Sequence, residues 1–95
     1  MSAYWITTYK AVHDQDKVTA YADLAGPAIR AGGGRFLARG VPEATFEQAE
    51  PTRTVVIEFP SVEAATACYD SVAYQESLAA LGDAARDIRI VPGVE

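Results

Sequence analysis

Few side chains in this chain can do chemistry, and the pair that stands out is Arg39 and Glu58. They fall in two segments that read as neighbouring strands, RFLAR (35–39) and TVVIEF (54–59). Glu58 is the only charge in its apolar run, and a charge in such a place needs a partner. Facing a cavity, the two groups can hold a polar ligand, or Glu58 can serve as a general base. Paired only with each other they form a structural ion pair, because either charge left alone is costly. Arg53 stands at the mouth of the third strand with Glu47 and Glu50 nearby. It can close a pocket over an anion or pin a loop to the sheet. Trp5 and Tyr9 offer flat faces that stack on a ligand or fill a subunit interface. Tyr69 and Tyr74 lie on helical stripes, where rings pack in the core and hydroxyls can reach a cavity rim.

Two further groups read as structural. His13 is the only histidine; it follows the first strand, and a solvated loop residue explains it better than a proton shuttle does. Cys68 has no activating base in its neighbourhood of the sequence and reads as a small packing residue in a helix. Without a second histidine or spaced cysteines, no metal ligand set is expected.

The elements that must position these groups follow from periodicity. AYWITTY (3–9) is β-branched and aromatic, a strand signal. Asp14 caps a helix whose stripe is Val18, Tyr21, Ala22, Ala25, Ala28 and Ile29. Pro27 lies inside that stripe, so a kink or break is expected near Gly26. Gly32 to Gly34 end the helix. They leave a helix and enter a strand, the reverse of a phosphate cradle. After the second strand, GVPEATFEQAEPTR (40–53) leads to the third, with a short edge hairpin expected around Thr45 to Gln48. Ser61 caps a helix with stripe Val62, Ala65, Tyr69 and Val72. Ser71 caps a second segment with stripe Tyr74, Leu78, Leu81 and Ala85. DIRIV (87–91) is the last strand.

The order β-α-β-β-α-β closes most simply as a ferredoxin-like α+β domain, a four-stranded antiparallel sheet with helices on one face. Residues 1–95 form one such domain. Alternation assigns Tyr4, Ile6, Phe36, Ala38, Val55, Ile57, Phe59, Ile88 and Ile90 to the helix side. The open side then receives Trp5, Thr7, Tyr9, Arg35, Leu37, Arg39, Val56, Glu58, Arg89 and Val91. That mixture of aromatics and arginines suits an interface enclosing a polar pocket.

Composition narrows the function classes. With 8 basic and 13 acidic residues the net charge is −5, against binding to a nucleic-acid backbone. No apolar run approaches the roughly 20 residues of a membrane helix, and MSAYWITTYK carries no secretory-signal pattern. One cysteine excludes an internal disulfide and fits a cytoplasmic protein. It also excludes the C-x-x-C of metal chaperones. TVVIEF lacks the aromatic pair of RNA-recognition sheets.

GGRFLARG (33–40), RTVVIEFPS (53–61) and the spacing of Ala64, Ala65, Tyr69, Ser71, Tyr74 and Gln75 carry a resemblance. On these motifs the chain resembles, along nearly its whole length, the family known as domain of unknown function 1330. The resemblance implies a ferredoxin-like domain that pairs through its open sheet face as a dimeric α/β barrel. The chain departs from the family pattern at Val72, Leu81 and Gly40-Val41, where proline, arginine and a Gly-Gly pair are usual. Several acyl-phosphate hydrolases and cofactor-free oxygenases of related fold depend on asparagine, and this chain has none. The expectation is a homodimer that binds or transforms a small molecule, without a cofactor, in a cavity at the dimer interface. Glu58 and Arg39 are its candidate catalytic groups, and Arg53, Trp5, Tyr9, Tyr69 and Tyr74 its candidate ligand contacts. The alternative is a non-catalytic dimeric module for sensing or assembly.

Overall fold

The computed structural model describes residues 1–94. Helix α1 (Gln15–Ala31) starts where the Asp14 carboxylate accepts a hydrogen bond from the Asp16 backbone N–H at 3.0 Å, satisfying a donor that no helical carbonyl can reach. The helix then runs unbroken through Pro27 to Ala31, so no break occurs near Gly26. Burial of Ala25, Gly26, Ala28 and Ile29 on both sides of the proline holds the helix together across the missing N–H. The chain reverses at Gly33 and Gly34. Gly33 has φ +97, and a Cβ on Gly34 would stand 2.5 Å from Ile29 Cγ2 and 2.8 Å from Phe59 Cζ. Only glycine fits that approach between helix and sheet.

Four strands follow the expected order: β1 (Ala3–Ala11), β2 (Arg35–Gly40), β3 (Thr54–Phe59) and β4 (Ala85–Pro92). They form one sheet in the order β2-β3-β1-β4, with every neighbouring pair antiparallel. Residues 41–53 connect β2 to β3 without forming a strand, so no edge hairpin is found at Thr45 to Gln48. The second helical region is two helices, α2 (Val62–Asp70) and α3 (Val72–Leu81). Ser61 caps the first by accepting from Ala64 N–H at 3.0 Å. Ser71 serves both. Its hydroxyl donates to the Cys68 carbonyl at 2.7 Å, closing α2, and accepts from Tyr74 N–H at 3.2 Å, opening α3. That joint sets the position of Tyr74.

All three helices share one face of the sheet, and the core lies between. Ala3, Trp5, Ile57, Phe59, Ala65 and Tyr74 are its least exposed members. Trp5 is the hub: it stacks on Phe59 (centroids 5.7 Å apart, 18° between planes), meets Tyr74 edge-on at 5.1 Å and touches Tyr69 at 5.8 Å. Its indole N–H donates to Thr7 Oγ1 at 2.9 Å, which makes the polar end of the ring affordable inside a core. Cys68 is buried behind Gly32, where a Cβ would come within 2.7 Å of its sulfur. Burial pushes the Cys68 thiol above its ordinary value, consistent with the packing role read from the sequence.

The faces of β1 and β2 differ from those expected. Trp5 pairs with Ile57 and Thr7 with Val55, so Trp5, Thr7 and Tyr9 turn toward the helices while Tyr4 and Ile6 occupy the open side. Both alternations of AYWITTY are apolar, and the larger aromatic with an internal hydrogen-bond partner took the interior. In β2 a bulge at Leu37 shifts the register, so that Phe36 pairs with Ile57 but Arg39 with Val55. One extra residue moves every later side chain to the other face. Arg39 therefore lies on the helix side and Ala38 on the open side. The assignments in β3 and of Ile88, Arg89, Ile90 and Val91 in β4 stand as read.

Candidate functional site

Between α1 and the sheet lies a cavity of about 40 Å³, bounded by Trp5, Thr7, Tyr9 and Tyr21 with Ala22, Ala25, Gly26 and Ile29 of α1 above. One probe sphere of roughly 10–15 Å³ holds a water, so the space suits about three waters or one small anion. Arg39, Arg53 and Arg86 line it; Asp, Glu, His, Lys and Cys do not. The bulge at Leu37 delivers Arg39, whose guanidinium lies over the Phe36 ring at 5.4 Å. Arg53 sits just before β3, fixed by its carbonyl accepting from Tyr9 N–H at 3.0 Å. Arg86 comes from the start of β4, opposite Tyr9 in the register.

The three guanidiniums are held differently. Arg86 is the most constrained: Nη1 donates to Tyr21 Oη at 3.0 Å and Nη2 to Tyr74 Oη at 3.3 Å, while its carbon lies over the Tyr21 and Tyr9 rings at 4.7 and 5.6 Å. The two phenols also bond each other at 2.8 Å. Burial first, then proximity to Tyr21, raises the proton affinity of Tyr74, against the opposing pull of Arg86. Burial pulls Arg86 down, and the two tyrosines together outweigh it and raise the guanidinium overall. Arg53 is the least satisfied. Its Nε is buried, and no protein group among the described residues accepts from it. None of the three forms an ion pair with a carboxylate among the described residues.

The opposite face of the sheet accounts for Glu58. It pairs with Arg35 at 2.8 Å and receives a long hydrogen bond from Tyr4 Oη at 3.5 Å. The Arg39–Glu58 constellation is thus corrected on both sides: Arg39 faces the cavity, Glu58 faces away, and the sheet separates them. Glu58 can serve neither as base nor as ligand for anything bound under α1. Arg53 makes no ion pair with Glu47 or Glu50 among the described residues, so the loop-pinning role gives way to cavity lining. Trp5 and Tyr9 do line a pocket, but inside one subunit instead of on the open face. Tyr74 is fully buried and reaches the site through Tyr21 and Arg86. Tyr69 borders a second groove beside β4, with Leu78, Leu81, Ile88 and Ile90, that shares Arg86 with the cavity. His13 is an exposed loop residue, as read.

Arg86 and Tyr21 also line the cavity and are not among the candidate residues the sequence offers. Tyr21 was placed on the buried stripe of α1 with no polar role. Arg86 lay one residue outside the expected last strand. The signal was present, because Ile90 and Ile88 face the helices and alternation carries the next inward position to Arg86. Among the described residues no group of three His, Cys, Asp or Glu side chains gathers as a metal site, and no helix is long and apolar enough to cross a membrane.

A four-stranded antiparallel sheet covered on one face, with a cavity under its first helix, defines a ferredoxin-like domain. The chain belongs to the family described as domain of unknown function (DUF1330), whose model matches residues 2–94. No curated protein matches it. Among solved structures, it is similar to a protein of unknown function from Rhodopseudomonas palustris, with a TM-score of 0.73 and 16% identity over 99% of this chain and 83% of that one. It is also similar to SnoaB, a cofactor-independent oxygenase from Streptomyces nogalater, with a TM-score of 0.67 and 8% identity over 99% of this chain and 94% of that one. A protein from Mycobacterium tuberculosis gives a TM-score of 0.60 and 14% identity over 100% and 97% of the two chains. At these identities the likeness is one of fold, and chemistry has to be read from the site.

Proposed function

We propose that this protein binds a small anionic molecule in the cavity between α1 and the sheet. One observation carries the reading: Arg39, Arg53 and Arg86 converge on a cavity whose lining has no carboxylate. Three positive charges sharing a partly desolvated space repel one another, and an anion relieves that repulsion while supplying acceptors to planar donors. The same lining has no imidazole, carboxylate or amine to take a proton, so the geometry favours binding over acid–base catalysis. The shared fold with a cofactor-independent oxygenase is consistent with a protein that handles a small molecule.

Thermal unfolding at constant ionic strength tests this. Small carboxylates should raise the midpoint, and Arg53→Met should remove most of the rise. Equal midpoints with and without carboxylate would refute the proposal.

The open face supports a second element of the reading, association with another copy of this chain. Tyr4, Ile6, Ala38 and Val56 form its centre, flanked by the Arg35–Glu58 pair at one end and the Lys10–Asp87–Arg89 group at the other. An apolar centre with compensated charges at its margins suits a two-fold interface. The mass in solution by light scattering should be that of two chains; a single-chain mass at micromolar concentration would exclude it.

A further inference from the structure

The hydroxyl pair Tyr21–Tyr74 has a direction that hydrogen-bond counting fixes. Each phenol oxygen already accepts one bond from Arg86. Only one phenolic proton can lie in the 2.8 Å bond between the two oxygens, so the other must point elsewhere. If Tyr21 donated to Tyr74, the Tyr74 proton would be stranded: that side chain is 0% exposed, and its hydroxyl has no other acceptor among the described residues. A buried donor without an acceptor costs as much as a lost hydrogen bond. If Tyr74 donates to Tyr21, every group in the trio is satisfied except the Tyr21 proton. Tyr21 lines the cavity and Tyr74 does not.

Other groups there have the same polarity. Arg53 Nε–H is buried with no protein acceptor. Thr7 Oγ1 accepts from the Trp5 indole and has its own proton to give. Arg39 adds a guanidinium from the exposed side. Donors from three strands, the residue before β3 and one helix face a space whose lining has no carboxylate or amide side chain.

Resting on the anion-site reading, we infer that Tyr21 is held as a hydrogen-bond donor into the cavity, oriented by Tyr74 and Arg86, and that the group it meets is a carboxylate. A carboxylate has two oxygens with about four acceptor positions and nothing to donate. It is flat enough for guanidinium recognition and small enough for the space. A neutral amide of the same shape lacks the charge and brings an N–H₂ for which the lining side chains offer only hydroxyl oxygens, and should be disfavoured. Site specificity of this kind arises from leaving polar groups unpaired in the wrong complex.

The test uses acetate and acetamide, near-isosteres that differ in charge and in donors, with the fluorescence of Trp5 as readout. Trp5 is the only tryptophan and borders the cavity. At fixed ionic strength, acetate should change Trp5 emission saturably and acetamide should not. Tyr21→Phe should weaken acetate binding about 10-fold or more, the scale of a hydrogen bond to a charged group. Tyr74→Phe, which leaves the Tyr21 proton free to point the same way, should weaken it less than about 3-fold by the same scale. Equal binding of acetate and acetamide, or a loss in Tyr74→Phe that matches or exceeds that in Tyr21→Phe, would overturn the inference while leaving the cavity a binding site. A flat response to both ligands in the unaltered protein would overturn the anion-site reading and this inference together.

Discussion

The two faces of the sheet treat charge in opposite ways. On the open face, Arg35 meets Glu58 at 2.8 Å, and Asp87 gathers Lys10 and Arg89 at 3.3 and 3.9 Å. On the covered face, Arg39, Arg53 and Arg86 have aromatic rings and hydroxyls for company and no carboxylate. Solvent was available to the first set, yet that set is compensated; the second lies partly under a helix and is not. Charges that serve only the fold find a counter-ion or move to the surface, because burying them alone is costly. On the proposed reading, this face keeps its guanidiniums without one because an anion supplies it. The contrast teaches that two charges paired on paper from a sequence can end on opposite faces, one compensated and the other not.

The largest test of this division is on the hub of the covered face. Trp5→Ala removes the ring that joins Phe59, Tyr69 and Tyr74, and should cost about 3–5 kcal/mol in urea unfolding. That is a large part of the total for a domain this size. A cost under about 1 kcal/mol would mean that the covered face is not the core.

A second effect is read with pH. The folded state holds the Tyr74 proton more tightly than the ordinary phenol value of 10.0, whereas the unfolded chain releases it there. The stabilisation is fully present below that pH and is lost as pH rises through and beyond it, since the unfolded state then binds fewer protons. Thermal midpoints should fall between pH 9.5 and 11 in roughly that window, and Tyr74→Phe should flatten the fall. An equally steep fall in the variant would assign the effect to other groups.

How far the sequence carried the reading differs by element. Helix starts were legible because Asp14, Ser61 and Ser71 act locally, each through its own side chain on a nearby N–H. The strand order was legible because a short chain with this succession has few ways to close its sheet. The facing of β1 was not, since Ala3, Trp5, Thr7, Tyr9 and Tyr4, Ile6, Thr8 are comparably apolar sets and only pairing with β3 decides between them. The bulge at Leu37 was invisible for the same reason: it is a property of two strands in register, not of RFLAR. Those two steps turned a site expected outside the subunit into one inside it. Arg39, Arg53, Trp5 and Tyr9 do line one cavity, but their meeting point depended on contacts made far along the chain.

Smaller effects sharpen the comparison. Arg53→Met removes a buried donor with no protein acceptor and should stabilise the free protein by about 1 kcal/mol, while weakening carboxylate binding. Lower stability in that variant would show that Arg53 is held by the fold after all. Glu58→Gln breaks a pair whose arginine is 74% exposed, so the cost should stay within about 1 kcal/mol. Carboxylate binding should be unchanged, and a tenfold loss would reconnect the two faces that the sheet keeps apart.

The central claim is that the covered face holds its arginines for an anion, and the side-chain Nε–H signals of the arginines report on it directly. In a ¹H–¹⁵N correlation spectrum recorded through an acetate titration, Arg53 Nε–H should shift saturably and to lower field as it gains an acceptor. Arg35, already bonded to Glu58 across the sheet, should stay in place. An unmoved Arg53 signal, or equal drift of both signals with no saturation, would contradict the account.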